Sequence, residues 1–260
     1  MATGRDDGDL VRSMTAFLEA YEQVRRAEGW GGDDLDLPFR PKRHKDVWAI
    51  RQRTFRVFES LAASIERGPA LDVGAGNCWM TRYLDQWGFD AIAIDINDSS
   101  MDGLRAGQKF IEEGADFLRV CSGMDRLPFA SGQFKLLALN ASFHYAHDFS
   151  AALCEFERVL GPGGMIAIID SPFYERNEDG ERMVAERVVD FKEKYGIAEA
   201  LARSSRYLTF NQLHALAESS GFRYRVHEVW PGFRRKYGEL RGRFLGRRIA
   251  QFPVVVLERA

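Results

Sequence analysis

An acid followed at once by glycines is the first chemical signal in the chain. Residues 70–79 read "ALDVGAGNCW", where Asp72 lies in an apolar run and Gly74 and Gly76 follow it. Glycines let a backbone approach a ligand closely, and the start of a following helix offers free N–H groups. Asp95 ends the next apolar run, where a carboxylate can accept hydrogen bonds from both hydroxyls of a ribose. These residues predict a site for a nucleoside-like ligand.

Alternating strands and helices have to position these residues. Strand-like runs cover residues 70–73, 91–95, 116–120, 134–140, 164–170, 223–230 and 252–258. Helical spacing covers residues 149–160 and 210–220, the second opening with Thr209 and Gln212 at capping-box spacing and closing at Gly221. The pattern predicts an α/β fold with a doubly wound, seven-stranded, mostly parallel sheet that binds ligands at the carboxyl ends of its strands. No long apolar helix separates the last two runs, so the last strand is predicted to be antiparallel.

The region before residue 68 has a different character. Apolar residues recur at helical spacing over residues 10–28 and 45–67, with a segment rich in glycine and proline between them. We therefore predict an N-terminal helical cap over residues 1–67 and a ligand-binding domain over residues 68–260, with a helical insertion at about residues 172–206. Tyr21, Trp30, His44 and Trp48 of the cap either approach the ligand or pack in the core.

Composition narrows the class of protein. The 260 residues are 45% apolar and 28% charged, with a net charge of -2, which argues against nucleic acid or an anionic membrane as partner. Cys78, Cys121 and Cys154 match neither a disulfide framework nor a zinc-site spacing, so no metal is predicted. The start of the chain has no apolar leader, and no apolar run is long enough for a membrane span. We expect a cytoplasmic protein, and the oligomeric state is left open.

The residue at position 79 bears on which nucleoside is bound. The dinucleotide fingerprint G-x-G-x-x-G requires a glycine there, and this chain has Trp79. That argues against a pyrophosphate cofactor, although a nicotinamide-dependent oxidoreductase stays as an alternative.

Four blocks in order carry a family resemblance. "LDVGAGNCW", "AIAIDIN", "LPFASGQFKLLALN" and "RVLGPGGMIAIIDS" resemble the class I S-adenosylmethionine-dependent methyltransferases, closest to the small-molecule branch that includes the ubiquinone-biosynthesis type. The resemblance covers roughly residues 68–172. It implies a Rossmann-like methyltransferase fold, S-adenosyl-L-methionine as cofactor and methyl transfer to a small-molecule acceptor.

The resemblance also implies roles for single residues. Gly74 and Gly76 would line the methionine part of the cofactor, Asp72 would lie beside its ammonium group, and Asp95 would hold the ribose. The family's adenine-binding acid falls on Gly123, so Asp125 is expected to substitute for it. The predicted cofactor-binding residues are Asp72, Gly74, Ala75, Gly76, Asp95, Ile96, Met124, Asp125 and Asn140.

Three positions depart from the family pattern. Cys78 stands in place of the third glycine, Gly123 in place of the adenine-binding acid, and Lys135 where an acid is expected after Phe134. These departures motivate an alternative function, a catalytically inactive regulatory protein that binds S-adenosylmethionine.

The acceptor should lie where strand four ends. Methyl transfer is an in-line displacement, and a hydroxyl or protonated amine acceptor benefits from a positioned base. "NASFHYAHD" follows that strand, and His144 within it is the predicted general base, with a packed loop histidine as the alternative. The residues predicted to line an acceptor pocket are Tyr145, Phe173, Tyr174 and Tyr207, with core packing or a surface helix as the alternative reading.

A basic segment precedes the last strand. Residues 232–250, "GFRRKYGELRGRFLGRRIA", hold seven lysines and arginines against the single acid Glu239. A basic loop on the acceptor side would attract a phosphate- or carboxylate-bearing molecule, so we predict an anionic acceptor. The alternative is a solvated helix edge.

Overall fold

The computed structural model describes residues 7–32, 34–196, 206–229 and 248–260. Its strands are β1 Pro69–Val73, β2 Asp90–Asp95, β3 Leu118–Cys121, β4 Phe134–Asn140, β5 Leu160–Ile169, β6 Phe173–Tyr174, β7 Leu208–Thr209, β8 Phe222–His227 and β9 Val254–Arg259. Seven of them form one sheet in the order β3-β2-β1-β4-β5-β9-β8, and β6 pairs with β7 in a small second sheet. Strand β9 runs antiparallel to both its neighbours, whereas the other pairs of the large sheet are parallel. The prediction of a mostly parallel seven-stranded sheet with an antiparallel last strand is confirmed.

Helices cover both faces of the large sheet. They are α1 Asp7–Ala27, α2 Lys45–Ala62, α3 Trp79–Gln86, α4 Gln108–Glu112, α5 Phe149–Val159, α6 Asn177–Tyr195 and α7 Phe210–Ser219. Side chains of α2, α3 and α4 share one core cluster with the sheet, and side chains of α5 and α7 share another. This arrangement is the doubly wound architecture that the alternating pattern predicted.

Strand β4 illustrates why the central strands read as unbroken apolar runs. Leu136 and Ala138 pack into the core cluster on one face, and Leu137 and Leu139 pack into the cluster on the other. All four side chains are fully buried. A parallel strand covered on both faces has no solvent side, so its sequence shows no alternation of polar and apolar residues.

Several element ends differ from the sequence prediction, among them the end of α2 and the start of β5. Helix α2 ends at Ala62 instead of residue 67, and the guanidinium of Arg67 donates to the carbonyl of Ala62 at the helix end and to that of Ile65 beyond it. Strand β5 begins at Leu160, which pairs with Phe134 across a register shift that the sequence run did not reveal.

The predicted capping box of α7 is confirmed. The hydroxyl of Thr209 accepts a hydrogen bond from the backbone N–H of Gln212, and the Gln212 side chain accepts one from the N–H of Thr209. Gly221 follows the helix with φ of 69°.

Within the ranges that the structure describes, no helix combines the length and apolar character needed to cross a membrane.

Candidate active site

A cavity of about 1000 Å³ opens at the carboxyl ends of β1, β2, β4 and β5. Residues of α1, α2 and α6 close it on the side away from the strand ends. Eight of the nine predicted cofactor residues line it, namely Gly74, Ala75, Gly76, Asp95, Ile96, Met124, Asp125 and Asn140. The fold therefore brings together residues from four separate stretches of the chain.

The glycine turn after β1 is shaped by the protein itself. Gly74 has φ of 70°, and a Cβ atom at this position would lie 2.4 Å from the Cβ of Ser142. The hydroxyl of Ser142 in turn donates to the carbonyl of Val73 at 2.5 Å. Gly76 has φ of 51° and more space, since a Cβ atom at this position would meet only the Asp102 carbonyl, at 3.5 Å. Protein packing thus requires glycine at position 74, and Gly76 is the more open of the two.

Asp95 holds this turn from the end of β2. Its two carboxylate oxygens accept hydrogen bonds from the backbone N–H groups of Gly76 and Asn97, both at 2.8 Å. Burial raises the pKa of Asp95, and the backbone hydrogen bonds oppose that rise. Each carboxylate oxygen still has acceptor capacity. The side chain can therefore shape the turn and bind two hydroxyl groups at once.

Asp72 is the predicted cofactor residue that does not line the cavity. It is buried beneath the turn, where one oxygen accepts a hydrogen bond from the Thr81 hydroxyl at 2.6 Å. Burial raises its pKa to about 7. Its contact thus ties β1 to α3, and the sequence analysis did not identify Thr81 as its partner.

Cys78 is accommodated by a glycine elsewhere in the chain. It precedes α3 in the left-handed conformation, with φ of 64°, and its side chain is fully buried. A Cβ atom at Gly107 would lie 2.7 Å from the Cys78 sulfur. Burial raises the pKa of the Cys78 thiol. Gly107 therefore supplies the space that the side chain at position 78 occupies.

The other two departures lie in different surroundings. Gly123 lines the cavity beside Met124 and Asp125, and a Cβ atom there would meet only the Ile96 side chain at 3.8 Å. Partial burial raises the pKa of Asp125. Lys135 is remote from the cavity lining and pairs with Glu66 at 2.7 Å on the surface.

His144 lies in the part of the cavity beyond β4. Its ring is buried, its Nδ1 atom is 3.3 Å from the Ser171 hydroxyl, and it packs on Tyr145 with 4.3 Å between ring centroids. Burial, together with the cations of Arg187 and Arg51, lowers its pKa to about 3. The imidazole is therefore neutral at physiological pH and can accept a hydrogen bond.

The four predicted acceptor residues separate into two pairs. Tyr145 and Tyr174 line the cavity, whereas Phe173 and Tyr207 do not. Phe173 is fully buried in the core because neighbouring residues of a strand point to opposite faces, and Tyr174 takes the face toward the cavity. The Tyr207 hydroxyl donates to the Asn177 side chain at 2.8 Å, which directs this ring onto α6.

Several charged lining residues were not identified from the sequence. Arg51 of α2 places its guanidinium over the Trp48 ring at 4.8 Å, and Arg187 of α6 lines the same region. Asp170, after β5, has φ of 54° and accepts a hydrogen bond from Asn140 Nδ2 at 3.0 Å. Burial raises the pKa of Asp170, and the Arg51 cation opposes that rise. Asp170 ends an apolar run as Asp95 does, so the sequence pattern could have identified it as a site residue. No sequence pattern distinguishes Arg51 or Arg187 from other arginines on helices.

Helix α1 closes the cavity through an ion pair. The Arg25 guanidinium donates to the Asp102 carboxylate at 2.5 Å, with both side chains largely withdrawn from solvent. Tyr21 packs edge-on against Tyr145 with 6.3 Å between ring centroids. Trp30 stacks on His44 at 3.8 Å. The four cap residues singled out from the sequence, Tyr21, Trp30, His44 and Trp48, all line the cavity.

The predicted basic segment lies mostly outside the described residues. Of residues 232–250, the structure describes 248–250. In that part Arg248 pairs with Glu175, and its backbone N–H donates to Asp179 at 3.2 Å. Ala250 lines the cavity.

The match to a family model falls on the strand ends just described. Residues 71–168 match the family described as "Methyltransferase domain". The sarcosine/dimethylglycine N-methyltransferase of Halorhodospira halochloris is 27% identical over 176 residues, which cover 65% of this chain and 62% of that protein. The malonyl-[acyl-carrier protein] O-methyltransferase of Pseudescherichia vulneris is 28% identical over 203 residues, which cover 66% of this chain and 78% of that protein.

A solved structure shares the fold. The 1,6-didemethyltoxoflavin-N1-methyltransferase of Burkholderia thailandensis, crystallised with 1,6-didemethyltoxoflavin and S-adenosylhomocysteine, superimposes with a TM-score of 0.57. The superposition covers 100% of this chain and 93% of that chain, at 15% sequence identity.

Proposed function

Since the chain belongs to the class I S-adenosylmethionine-dependent methyltransferases, with S-adenosylmethionine as cofactor, we propose that it methylates a small-molecule acceptor carrying an anionic group. The family match and the methyltransferase relatives confirm the resemblance that the four sequence blocks carry. The acceptor, its charge and the residue roles are the proposal. The cytoplasmic location stays a prediction.

The continuity of the cavity supports this proposal most strongly. The same cavity that contains the glycine turn and Asp95 extends past His144 to the arginines of α2 and α6. Cofactor and acceptor could therefore meet in one continuous space, which methyl transfer requires because the reacting atoms must be aligned.

The residues present fit the cofactor. The Asp95 carboxylate has acceptor capacity left for ribose hydroxyls, and the open space beside Gly123 suits a flat ring. The cofactor supplies a methyl group on a sulfonium, which is transferred as the sulfur takes back its electron pair. The part of the protein is to hold the two molecules in line.

His144 would contact the accepting group. Its neutral ring can accept a hydrogen bond from an N–H or O–H of the acceptor, which orients the lone pair toward the methyl group. A base with a pKa of about 3 has little driving force for removing a proton at neutral pH. The acceptor should therefore be nucleophilic without prior loss of a proton and still carry an N–H for this hydrogen bond, as a free amine does.

The anionic charge of the acceptor is supported by arginines of the described cavity. Five arginines line it, Arg25, Arg43, Arg51, Arg187 and Arg206, and so do six acids, Glu28, Asp34, Asp95, Asp102, Asp125 and Asp170, so the support comes from Arg51 and Arg187, which act on His144. They come from outside the predicted basic segment, so the proposal does not depend on that segment.

Calorimetry with S-adenosylhomocysteine, followed by a turnover assay, tests the proposal. We expect Asp95→Ala to weaken binding by about tenfold or more, because hydrogen bonds to a charged group contribute ~1.5–3 kcal/mol each. The matched control is Asp98→Ala, whose exposed side chain pairs with Arg105. Unchanged affinity in Asp95→Ala would refute the ribose role. Binding without turnover on a broad acceptor panel would favour the inactive regulatory alternative.

A further inference from the structure

The arginines of the cavity differ in what they already bind. Arg25 pairs with Asp102, and Arg206 donates to the backbone carbonyl of His147. Arg43 donates to the carbonyl of Gly29 at 3.3 Å. Within the described ranges, no carboxylate lies in ion-pair distance of Arg51 or Arg187.

Arg51 and Arg187 both line the cavity that contains His144. Both cations lower the pKa of the buried His144 ring, so the acceptor region proposed beside that ring lies within reach of their charges. The Arg51 guanidinium is stacked on Trp48 and within 5.6 Å of the Trp30 centroid. A cation held in such surroundings without a paired anion is costly, and a bound anion would remove that cost.

Asp170 limits the charge of this region. The charges of Asp170 and Asp102 both act on Arg51, and Asp170 has the larger effect. Asp102 is paired with Arg25, so those two charges cancel, and Asn140 holds one oxygen of Asp170 at 3.0 Å. With Asp170 ionised, the two arginines and this acid leave one positive charge, and the neutral His144 adds none. A singly charged anion would match that charge, whereas a doubly charged phosphate would exceed it.

We propose that the acceptor is a carboxylate-bearing molecule whose carboxylate is bound between Arg51 and Arg187, with the accepting atom near His144. This inference rests on the proposed methyl transfer. A guanidinium offers a planar pair of N–H donors that matches a carboxylate, so two of them can satisfy both oxygens. Both arginines lie outside the matched residues 71–168, on helices that cover the domain. The covering helices would therefore determine acceptor specificity.

Calorimetric titration of small probes into protein loaded with S-adenosylhomocysteine tests the inference. The probes are benzoate, benzamide, N-acetylglycine, N-acetylglycinamide and phenyl phosphate. We expect each acid to bind at least about tenfold more tightly than its amide and more tightly than phenyl phosphate, since hydrogen bonds to a charged group are stronger than those to a neutral one. Arg51→Gln and Arg187→Gln should each reduce the preference for the acid about tenfold.

Matched controls and a conservative variant separate this role from a structural one. Arg56→Gln on α2 and Lys192→Gln on α6 alter exposed cations outside the cavity lining and should keep the preference. Compared with Arg51→Gln, Arg51→Lys should restore part of the preference for the acid, because lysine keeps the positive charge but lacks the planar pair of N–H donors. Asp170→Asn should shift the preference toward phenyl phosphate.

Cofactor affinity is measured in every variant. If S-adenosylhomocysteine does not bind the wild-type protein, the proposed function fails. If S-adenosylhomocysteine binds but the acids and amides bind equally well or not at all, or phenyl phosphate binds best, the carboxylate inference alone is overturned. A preference that survives in both glutamine variants overturns it as well.

Discussion

Replacing Gly107 by alanine should reveal how the protein tolerates Cys78 beside the cofactor turn. Gly107 has φ of -69° and ψ of -11°, a conformation that alanine adopts without strain. The added Cβ atom would lie 2.7 Å from the sulfur of Cys78 and 2.8 Å from its Cβ atom. Overpacking of this kind costs ~1–3 kcal/mol, and removal of glycine from the unfolded chain returns ~0.4–1 kcal/mol. We expect Gly107→Ala to lower the free energy of unfolding by about 1–2 kcal/mol.

The same substitution should change sign once Cys78 is shortened. In a Cys78→Gly background the clashing atoms are absent, so Gly107→Ala should raise the free energy of unfolding by ~0.4–1 kcal/mol. The difference between the two backgrounds is a coupling energy of about 1–3 kcal/mol, the size expected for residues in direct contact. Cys78→Gly by itself should have a small effect, because relief of the left-handed conformation offsets the loss of buried sulfur.

Urea unfolding of the four proteins, followed by tryptophan fluorescence, measures this cycle. Trp79, one of the five tryptophans of the chain, begins the helix that Cys78 precedes and contributes to the signal. Calorimetry with S-adenosylhomocysteine shows whether the turn keeps its affinity. The reasoning is refuted if Gly107→Ala is as stable as wild type, or if its cost is the same in both backgrounds.

The remaining predictions concern a titrating group and a surface pair. Because the pKa of His144 falls from 6.5 to about 3 on folding, the unfolded chain binds more protons between these values, and stability is lost as pH falls through that window. His144→Gln should flatten this slope in urea titrations at several pH values, and an unaltered slope would contradict the buried, neutral ring. Lys135→Gln removes a pair with the exposed Glu66 and should leave both unfolding and turnover indistinguishable from wild type. A loss of turnover in that variant would show that position 135 acts on the site.

The sheet and the cofactor turn could be predicted from the sequence because their signals are local. A central strand such as β4 is apolar on both faces and is bounded by turn residues, so its range, 134–140, matched the structure. Asp95 and Gly76 follow neighbouring parallel strands, whose carboxyl ends meet at one edge of the sheet. Their hydrogen bond at 2.8 Å is a consequence of that topology.

Tertiary structure alone decided which residues complete the site. Arg51 and Arg187 belong to helices far apart in the chain, and their helical patterns give no sign that these side chains point into a shared cavity. Gly107 makes space for Cys78 only because the fold brings its loop against the start of α3. Phe173 and Tyr174 have similar side chains, yet strand alternation sends one into the core and the other to the cavity. Local sequence sets strands, turns and caps through short-range forces, whereas contacts between distant segments depend on packing that no single stretch encodes.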